Sequence, residues 1–405
     1  MGKTLLIISG GIEAADAVKR AKEMGLTVVV SDRDPEAPGF AFADSCLIAD
    51  VYGADETAAA AERYNRKIRK IDGVVCVAAD APITAAKVAA RLGLPGISVA
   101  TAELACDKLA MKYRFQERGV PVPWFSEVQT VQALQRIAIE RGNNLVIKPV
   151  DSRGSRGVQR IAQVKDLTKA FALARTHSPT QRVMVEEYLD GPQVSTESIL
   201  IDGRCFTPGF SDRNYEFLDI YAPFFIENGG DLPSHLPDDI QAKVKTVVGK
   251  AAAALGVMNG TVKGDIVVHK GEPYVIELAA RLSGGFFCTR EIPLNTGVDF
   301  IGCAIKMALG EKVSDEELTP KESTAVVQRY AFPKPGRVTS ISGADEARKI
   351  PGVSEIIVTA KPGDVIPAAG DKRPSAAMVL ATGNSPADAL KAAGQALSCL
   401  RIQTA

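Results

Sequence analysis

The stretch Val146-Ile147-Lys148-Pro149-Val150-Asp151-Ser152-Arg153-Gly154-Ser155-Arg156-Gly157-Val158 sets one lysine in an apolar strand and follows it with a loop of Gly, Ser and Arg. A second strand is expected from Val158 to Ile161. A buried lysine beside flexible backbone N–H groups and cations is a way to hold polyphosphate. The lysine precedes the glycines, so this is not a Walker A loop. The plainer alternative is a hairpin turn with exposed cations.

Around this stretch the chain has the composition of an ordinary globular protein. Its 405 residues predict roughly two to three domains. It is 46% hydrophobic and 24% charged, enough apolar material for a large core. The net charge is zero, which argues against a nucleic-acid surface. No apolar run reaches about 18 residues, so no membrane span is expected. Met1-Gly2-Lys3 runs straight into a strand, so no signal peptide is expected either. The seven cysteines are scattered without metal or redox spacing, which fits reduced thiols in the cytoplasm. Cys288 lies near candidate site residues, and packing is its plain reading. The three histidines, His177, His235 and His269, are too scattered for a metal site.

The first hundred residues alternate strand and helix. Strands are expected at Thr4–Ser9, Leu26–Ser31 and Gly73–Ala78, and helices at 13–24, 56–70 and from Pro82 to a stop at Gly93. Such a βαβ array predicts a parallel sheet. Its first turn, Ser9-Gly10-Gly11-Ile12-Glu13-Ala14-Ala15, lacks the full dinucleotide fingerprint. Asp32 would suit a ribose hydroxyl, or equally a turn. A helix over 101–117 carries Asp107-Lys108 and ends before Gly119. A helix over 164–175 and a strand over 182–186 follow the glycine-rich loop. Residues 211–233 read as a long loop with little regular structure. A helix over 239–255, strands over 264–268 and 273–278, and a last helix over 385–400 complete the pattern. Asp265 and Glu277 stand twelve positions apart on strands joined by a turn, so an antiparallel hairpin can bring both to one face. Two hard carboxylates there suit Mg²⁺; the alternative is charge pairing with Lys263 and Arg281.

Four features occur in order: Lys108; Lys148 with its loop; Val185-Glu186-Glu187-Tyr188-Leu189-Asp190-Gly191; and Lys263-Gly264-Asp265 with Val275-Ile276-Glu277-Leu278-Ala279-Ala280-Arg281-Leu282-Ser283-Gly284-Gly285. The ordered set resembles the ATP-grasp superfamily of carboxylate–amine ligases, over essentially the whole chain. It looks closest to the branch holding bacterial L-amino acid ligases and biotin carboxylase-like enzymes. The ending, Pro333-Lys334-Pro335-Gly336 through Ala376-Ala377-Met378-Val379-Leu380-Ala381-Thr382-Gly383, looks like that branch's last domain.

The resemblance implies a fold of mixed α/β and α+β class. It would comprise an N-terminal βαβ (pre-ATP-grasp) domain over 1–100, a two-lobed ATP-grasp domain over 101–310 with a lid lobe near 120–187, and a small α+β domain over 311–405. It implies ATP as cofactor, bound by Lys108, Lys148, the loop residues Ser152, Gly154, Ser155 and Gly157, and Glu186, Glu187, Leu189 and Gln193. Glu186 would accept from the adenine amino group, and the backbone of Glu187 and Leu189 would meet the adenine edge. Asp265 and Glu277 would hold Mg²⁺, with Mn²⁺ as an alternative. Lys148 and Arg281 would be catalytic. Arg281, Ser283, Gly284, Gly285 and Arg213 would face substrate, with Tyr215 beside Arg213; a solvent loop is the alternative for these last two. Many relatives read Glu-x-Asn-x-Arg where this chain has Ala279 at the Asn position, which leaves the second metal site open. The partners implied are a small carboxylate, an amine and a second copy of the chain, with neither nucleic acid nor membrane. A bicarbonate-activating carboxylase, a non-catalytic ATP-binding regulator and a nicotinamide dehydrogenase are the rival readings.

Overall fold

The computed structural model describes residues 2–368, 370–371 and 374–405, so Met1 of the opening tripeptide lies outside the described residues. Its first sheet is parallel, in the order Ser45–Ile48, Thr27–Asp32, Thr4–Ile8, Gly73–Cys76. Thr4–Ile8 is buried throughout, as a continuous apolar strand covered on both faces must be. Helices Ala14–Glu23, Ala54–Lys67 and Pro82–Leu92 pack around it, the last closing at Gly93 in the left-handed conformation. Gly10 is required by close approach, because a Cβ there would lie 2.9 Å from the Ala37 Cβ. The Asp32 carboxylate accepts from the N–H of Gly10 at 2.8 Å and of Asp34 at 3.1 Å. It braces the first turn from inside, and this is the turn role rather than the ribose one.

The helix expected over 101–117 is two, Val99–Cys106 and Lys108–Glu117. Asp107 breaks it with an extended backbone and caps the second helix by accepting from the Ala110 N–H at 2.8 Å. The break places Lys108 in the first turn of the second helix. A four-stranded antiparallel sheet follows, in the order Phe125–Val128, Val183–Glu187, Leu145–Pro149, Gln159–Arg160. Helices Val131–Arg141 and Leu167–Thr176 supply Leu134, Ala170, Phe171 and Ala174 to a core with Ile147 and Val185. The second strand after the loop is shorter than expected, two residues against Val158–Ile161, because the chain turns into a 3-10 helix at Ile161–Gln163.

The largest sheet has eight antiparallel strands: Glu272–Ala279, Gly260–His269, Gln193–Ile201, Arg204–Arg213, Gly230–Leu232, Ala325–Ala331, Ala377–Gly383 and Val353–Val358. The helix Asp238–Leu255 covers one face with Val244, Val248, Ala251 and Leu255. Residues 211–233 are not simply a loop. Their ends are strand, with Asp212 opposite Asp231 and Arg213 opposite Gly230. The three C-terminal strands extend this same sheet across residue 311. A small sheet of Val365–Ile366, Gly336–Ser342 and Arg401–Thr404 lies beside it.

A backbone bridge helps to fix the N-terminal sheet on the site. Val77 bridges Leu282 in parallel, and both sit in a core with Leu5, Phe286 and Ile301. The residues after Gly73–Cys76 therefore lie against those after Glu272–Ala279. Among the described residues, no helix is long and apolar enough to cross a membrane.

Candidate active site

A cavity of about 380 Å³ opens where the three larger sheets meet. Lys108, Lys148, Ser152, Gly154, Ser155, Glu186, Glu187, Leu189, Gln193, Arg213, Tyr215, Asp265, Glu277, Arg281, Ser283, Gly284 and Gly285 all line it. Of the residues expected at the site, Gly157 alone is off this wall. It has a φ of +74°, and a Cβ there would press on Pro149 and His177 at 3.1 Å, so it serves the turn beneath the loop.

At one end Lys148 is 4% exposed and its Nζ lies 2.5 Å from Glu186 Oε1. The other Glu186 oxygen is 2.9 Å from the Nζ of Lys112, which is fully buried and also reaches the Val275 carbonyl at 3.4 Å. Glu186 is thus held by two ammonium groups. Burial pushes its carboxyl up, but Lys112 and Lys148 outweigh this and hold it below the usual range. Burial pushes Lys112 down to about 8 against the pull of Glu186. The carboxylate expected to receive the adenine amino group is therefore already ion-paired in this structure. The Glu187 N–H is likewise committed, donating to the Trp124 carbonyl at 2.8 Å, so it cannot serve the adenine edge. Lys112 escaped the sequence reading, yet a signal existed: it lies four residues from Lys108 on one helix face.

Lys108 Nζ donates to the Ser152 carbonyl at 2.6 Å and lies 3.1 Å from Glu277 Oε1. It links the start of the glycine-rich loop to the hairpin. Its burial disfavours the charge, but Glu277 more than offsets that and raises its pKa. Asp265 and Glu277 are direct cross-strand partners. Asp265 pairs with Lys263 and, at 2.7 Å, with Arg213 Nη1, and lies 3.4 Å from the Ser195 hydroxyl. Burial raises the Asp265 carboxyl, and Arg213 followed by Lys263 reverses this, leaving it far below the usual range. Arg213 also grips Glu227 and stacks 5.3 Å over the ring of Tyr215. Ala279 stands directly across from Lys263, whose ammonium pairs with Asp265.

Among the described residues, no three His, Cys, Asp or Glu side chains cluster as a metal site. Two cavity-facing carboxylates on opposed strands nevertheless fit a hard cation that takes further oxygens from phosphate and water. Arg281 pairs with Asp80, with Nε at 2.7 Å and Nη2 at 2.5 Å from Oδ1. This replaces the pairing with Asp265 or Glu277 considered from sequence. The Ser283 N–H, expected to approach a substrate carboxylate, instead donates to Glu197 Oε1 at 3.0 Å. Glu197 is fully buried, and that burial pushes its carboxyl up to about 7. The Phe286 N–H donates to Glu13 at 3.2 Å, and Gln328 donates to the Gly285 carbonyl at 2.5 Å. Gly284 passes so near the N-terminal domain that a Cβ would lie 3.1 Å from Glu13 Oε2. Cys288 is a buried free thiol donating to the Ser283 carbonyl, in keeping with a packing role.

Three family models match the chain: an ATP-grasp N-terminal domain over residues 18–96, an ATP-grasp domain over 105–285 and an L-amino acid ligase C-terminal domain over 329–405. An uncharacterised protein of Sinorhizobium fredii, y4rH, is 28% identical over 382 residues, covering 92% of this chain and 77% of that one. The alanine–anticapsin ligase of Bacillus subtilis is 28% identical over 222 residues, 49% of this chain and 46% of that enzyme. The match thus spans about half the length of that ligase. The crystal structure of an L-amino acid ligase from Bacillus licheniformis superposes with a TM-score of 0.85 at 22% identity, over 100% of this chain and 99% of that one, a likeness of fold. The three models follow one another along the chain with the ATP-grasp domain at the centre, and on these grounds the chain belongs to the ATP-grasp superfamily of ATP-dependent carboxylate–amine ligases.

Proposed function

We propose that this chain activates a small carboxylate with ATP and joins it to an amine. A substrate carboxylate oxygen attacks the γ-phosphorus and the bond to the β-phosphate oxygen breaks, giving ADP and an acyl phosphate. The amine nitrogen then attacks the acyl carbon, phosphate leaves, and the nitrogen gives up its proton. The observation that carries the reading is the convergence of Lys108, Lys148, Lys263, Arg213 and Arg281 on one cavity around the paired carboxylates Asp265 and Glu277.

In this reading Lys148 and Lys108 neutralise the phosphates, and the loop 152–157 covers them and excludes water. Glu187 and Leu189 line the adenine end, the former by its carbonyl, and Gln193 the ribose. Arg281 meets the charge that develops on the transferred group, and Arg213 with the Ser283–Gly285 turn faces the substrate carboxylate. Asp265 and Glu277 would hold Mg²⁺, which supplies charge neutralisation at the phosphates when bound. The reading includes, from the family resemblance alone, a homodimer working in the cytoplasm. A screen of ADP release over pairs of amino acids and small carboxylates with Mg²⁺ tests it. ADP release that needs both a carboxylate and an amine is expected; release with neither dependence contradicts it.

A further inference from the structure

Asp80 lies outside every role assigned so far, yet two arms of the site meet on it. It follows the strand Gly73–Cys76 in the N-terminal domain, just before the helix Pro82–Leu92. Its carboxylate receives two N–H groups of Arg281 from 201 residues away, at 2.7 and 2.5 Å. Its backbone carbonyl lies 3.4 Å from Nη1 of Arg153, in the glycine-rich loop. The Arg153 guanidinium also stacks 3.7 Å over the ring of Tyr52, another N-terminal residue. The turn itself is held firmly: Ala78 adopts a φ of +54°, and the preceding Val77 bridges Leu282. Two N–H groups on one edge of the guanidinium converge on Asp80 Oδ1, and two such contacts restrict the direction of the group more than a single one does. Burial works against the Asp80 charge, but Arg281 outweighs it and keeps the carboxyl below its usual range, so the pair is charged near neutrality.

We propose that Asp80 is a positioning residue for the transfer step, setting the Arg281 guanidinium by its carboxylate while its carbonyl and Tyr52 seat Arg153 of the closing loop. Loop closure and arginine alignment are then one event, referred to a fixed turn of the N-terminal domain. This rests on the ligase reading above. Without the seat, ATP still binds, but the acyl phosphate forms slowly and is less well shielded from water.

The test is Asp80→Asn in the full chain, assayed for ADP and amide together. The expected result is a kcat lower by on the order of a hundred-fold, as for a misplaced catalytic group. KM for ATP stays within about threefold, since the groups that hold the nucleotide are untouched. The ratio of ADP to amide rises above one, a leak that a purely structural defect does not produce. A kcat within twofold of wild type and a ratio of one overturn the proposal. Should Asp80→Asn not fold, Tyr52→Ala gives a second arm, because Tyr52 is absent from the cavity wall. Hydrogen exchange across 152–157 with a bound ATP analogue should then quicken about tenfold or more, and Tyr52→Phe should restore it, by loss and return of the aromatic face. Unchanged exchange in Tyr52→Ala overturns the loop seat. Wild-type protein that never releases ADP with any carboxylate and amine removes the ligase reading itself, which separates the two failures.

Discussion

Replacing Lys148 by alanine should separate binding from folding, and the structure says why. Removing one partner of a buried ion pair costs about 3–5 kcal/mol when a charge is left alone. Glu186 is not left alone, because the Lys112 ammonium stays 2.9 Å from its second oxygen. The folding cost should therefore stay nearer that of a truncated stem and one hydrogen bond, about 1–3 kcal/mol. A buried ammonium on phosphate contributes about 1.5–3 kcal/mol, so ATP affinity should fall roughly ten- to more than a hundred-fold. Isothermal titration with a non-hydrolysable ATP analogue and Mg²⁺ measures the loss, and circular dichroism checks the fold. The paired control is Lys112→Met, which alters a fully buried lysine off the cavity wall and should cost stability more than affinity. A dissociation constant for Lys148→Ala within twofold of wild type, with normal dichroism, would refute the phosphate role.

Glu277→Gln and Asp265→Asn should each remove most activity and raise the Mg²⁺ concentration needed for half-maximal rate, because a neutral amide is a poorer ligand for a hard cation; wild-type turnover of both at limiting Mg²⁺ would place the metal elsewhere. The loop 152–157 should exchange amide hydrogen freely without nucleotide and slowly with it, and equal protection in both states would count against a lid. Glu197 titrates near 7 in the fold against 4.5 as its ordinary value, so its contribution to stability is fully present below about pH 4.5 and is lost as pH rises through about 7. Glu197→Gln should therefore gain stability relative to wild type between pH 5 and 8, by on the order of 3 kcal/mol at the upper end, in thermal or urea melts. A stability difference that stays constant over that range would show that Glu197 does not titrate there.

Those parts of the fold that bury both faces of an apolar run were legible in the chain. Thr4–Ile8 and Leu145–Pro149 are unbroken apolar segments apart from Lys148, and that single lysine is itself the anomaly that points to a site. The hairpin carrying Asp265 and Glu277 was legible too, because a turn rich in Gly and Pro separates two alternating strands. The ends of Arg204–Arg213 and Gly230–Leu232 were not. Their cavity-facing residues, Ser211, Arg213 and Gly230, are polar or small, which erases the alternation that marks a strand. The continuation of the central sheet into Ala325–Ala331 was hidden for a different reason: it depends on pairing with Gly230–Leu232 across nearly a hundred residues. Long separation also concealed Asp80 under Arg281 and Glu197 under Ser283. A carboxylate gives no local sign of the distant N–H group it will receive.

On the proposed function, the cations of this cavity act on the terminal phosphate of ATP. Lys108, the glycine-rich loop, Asp265, Glu277 and Arg281 all line the cavity around one end, where charge developing on a transferred phosphoryl group can be stabilised. The most direct measurement adds hydroxylamine to the enzyme with ATP, Mg²⁺ and the carboxylate found in the ADP screen. A hydroxamate is expected to form while ADP accumulates in equal amount. AMP and pyrophosphate as the products would contradict it.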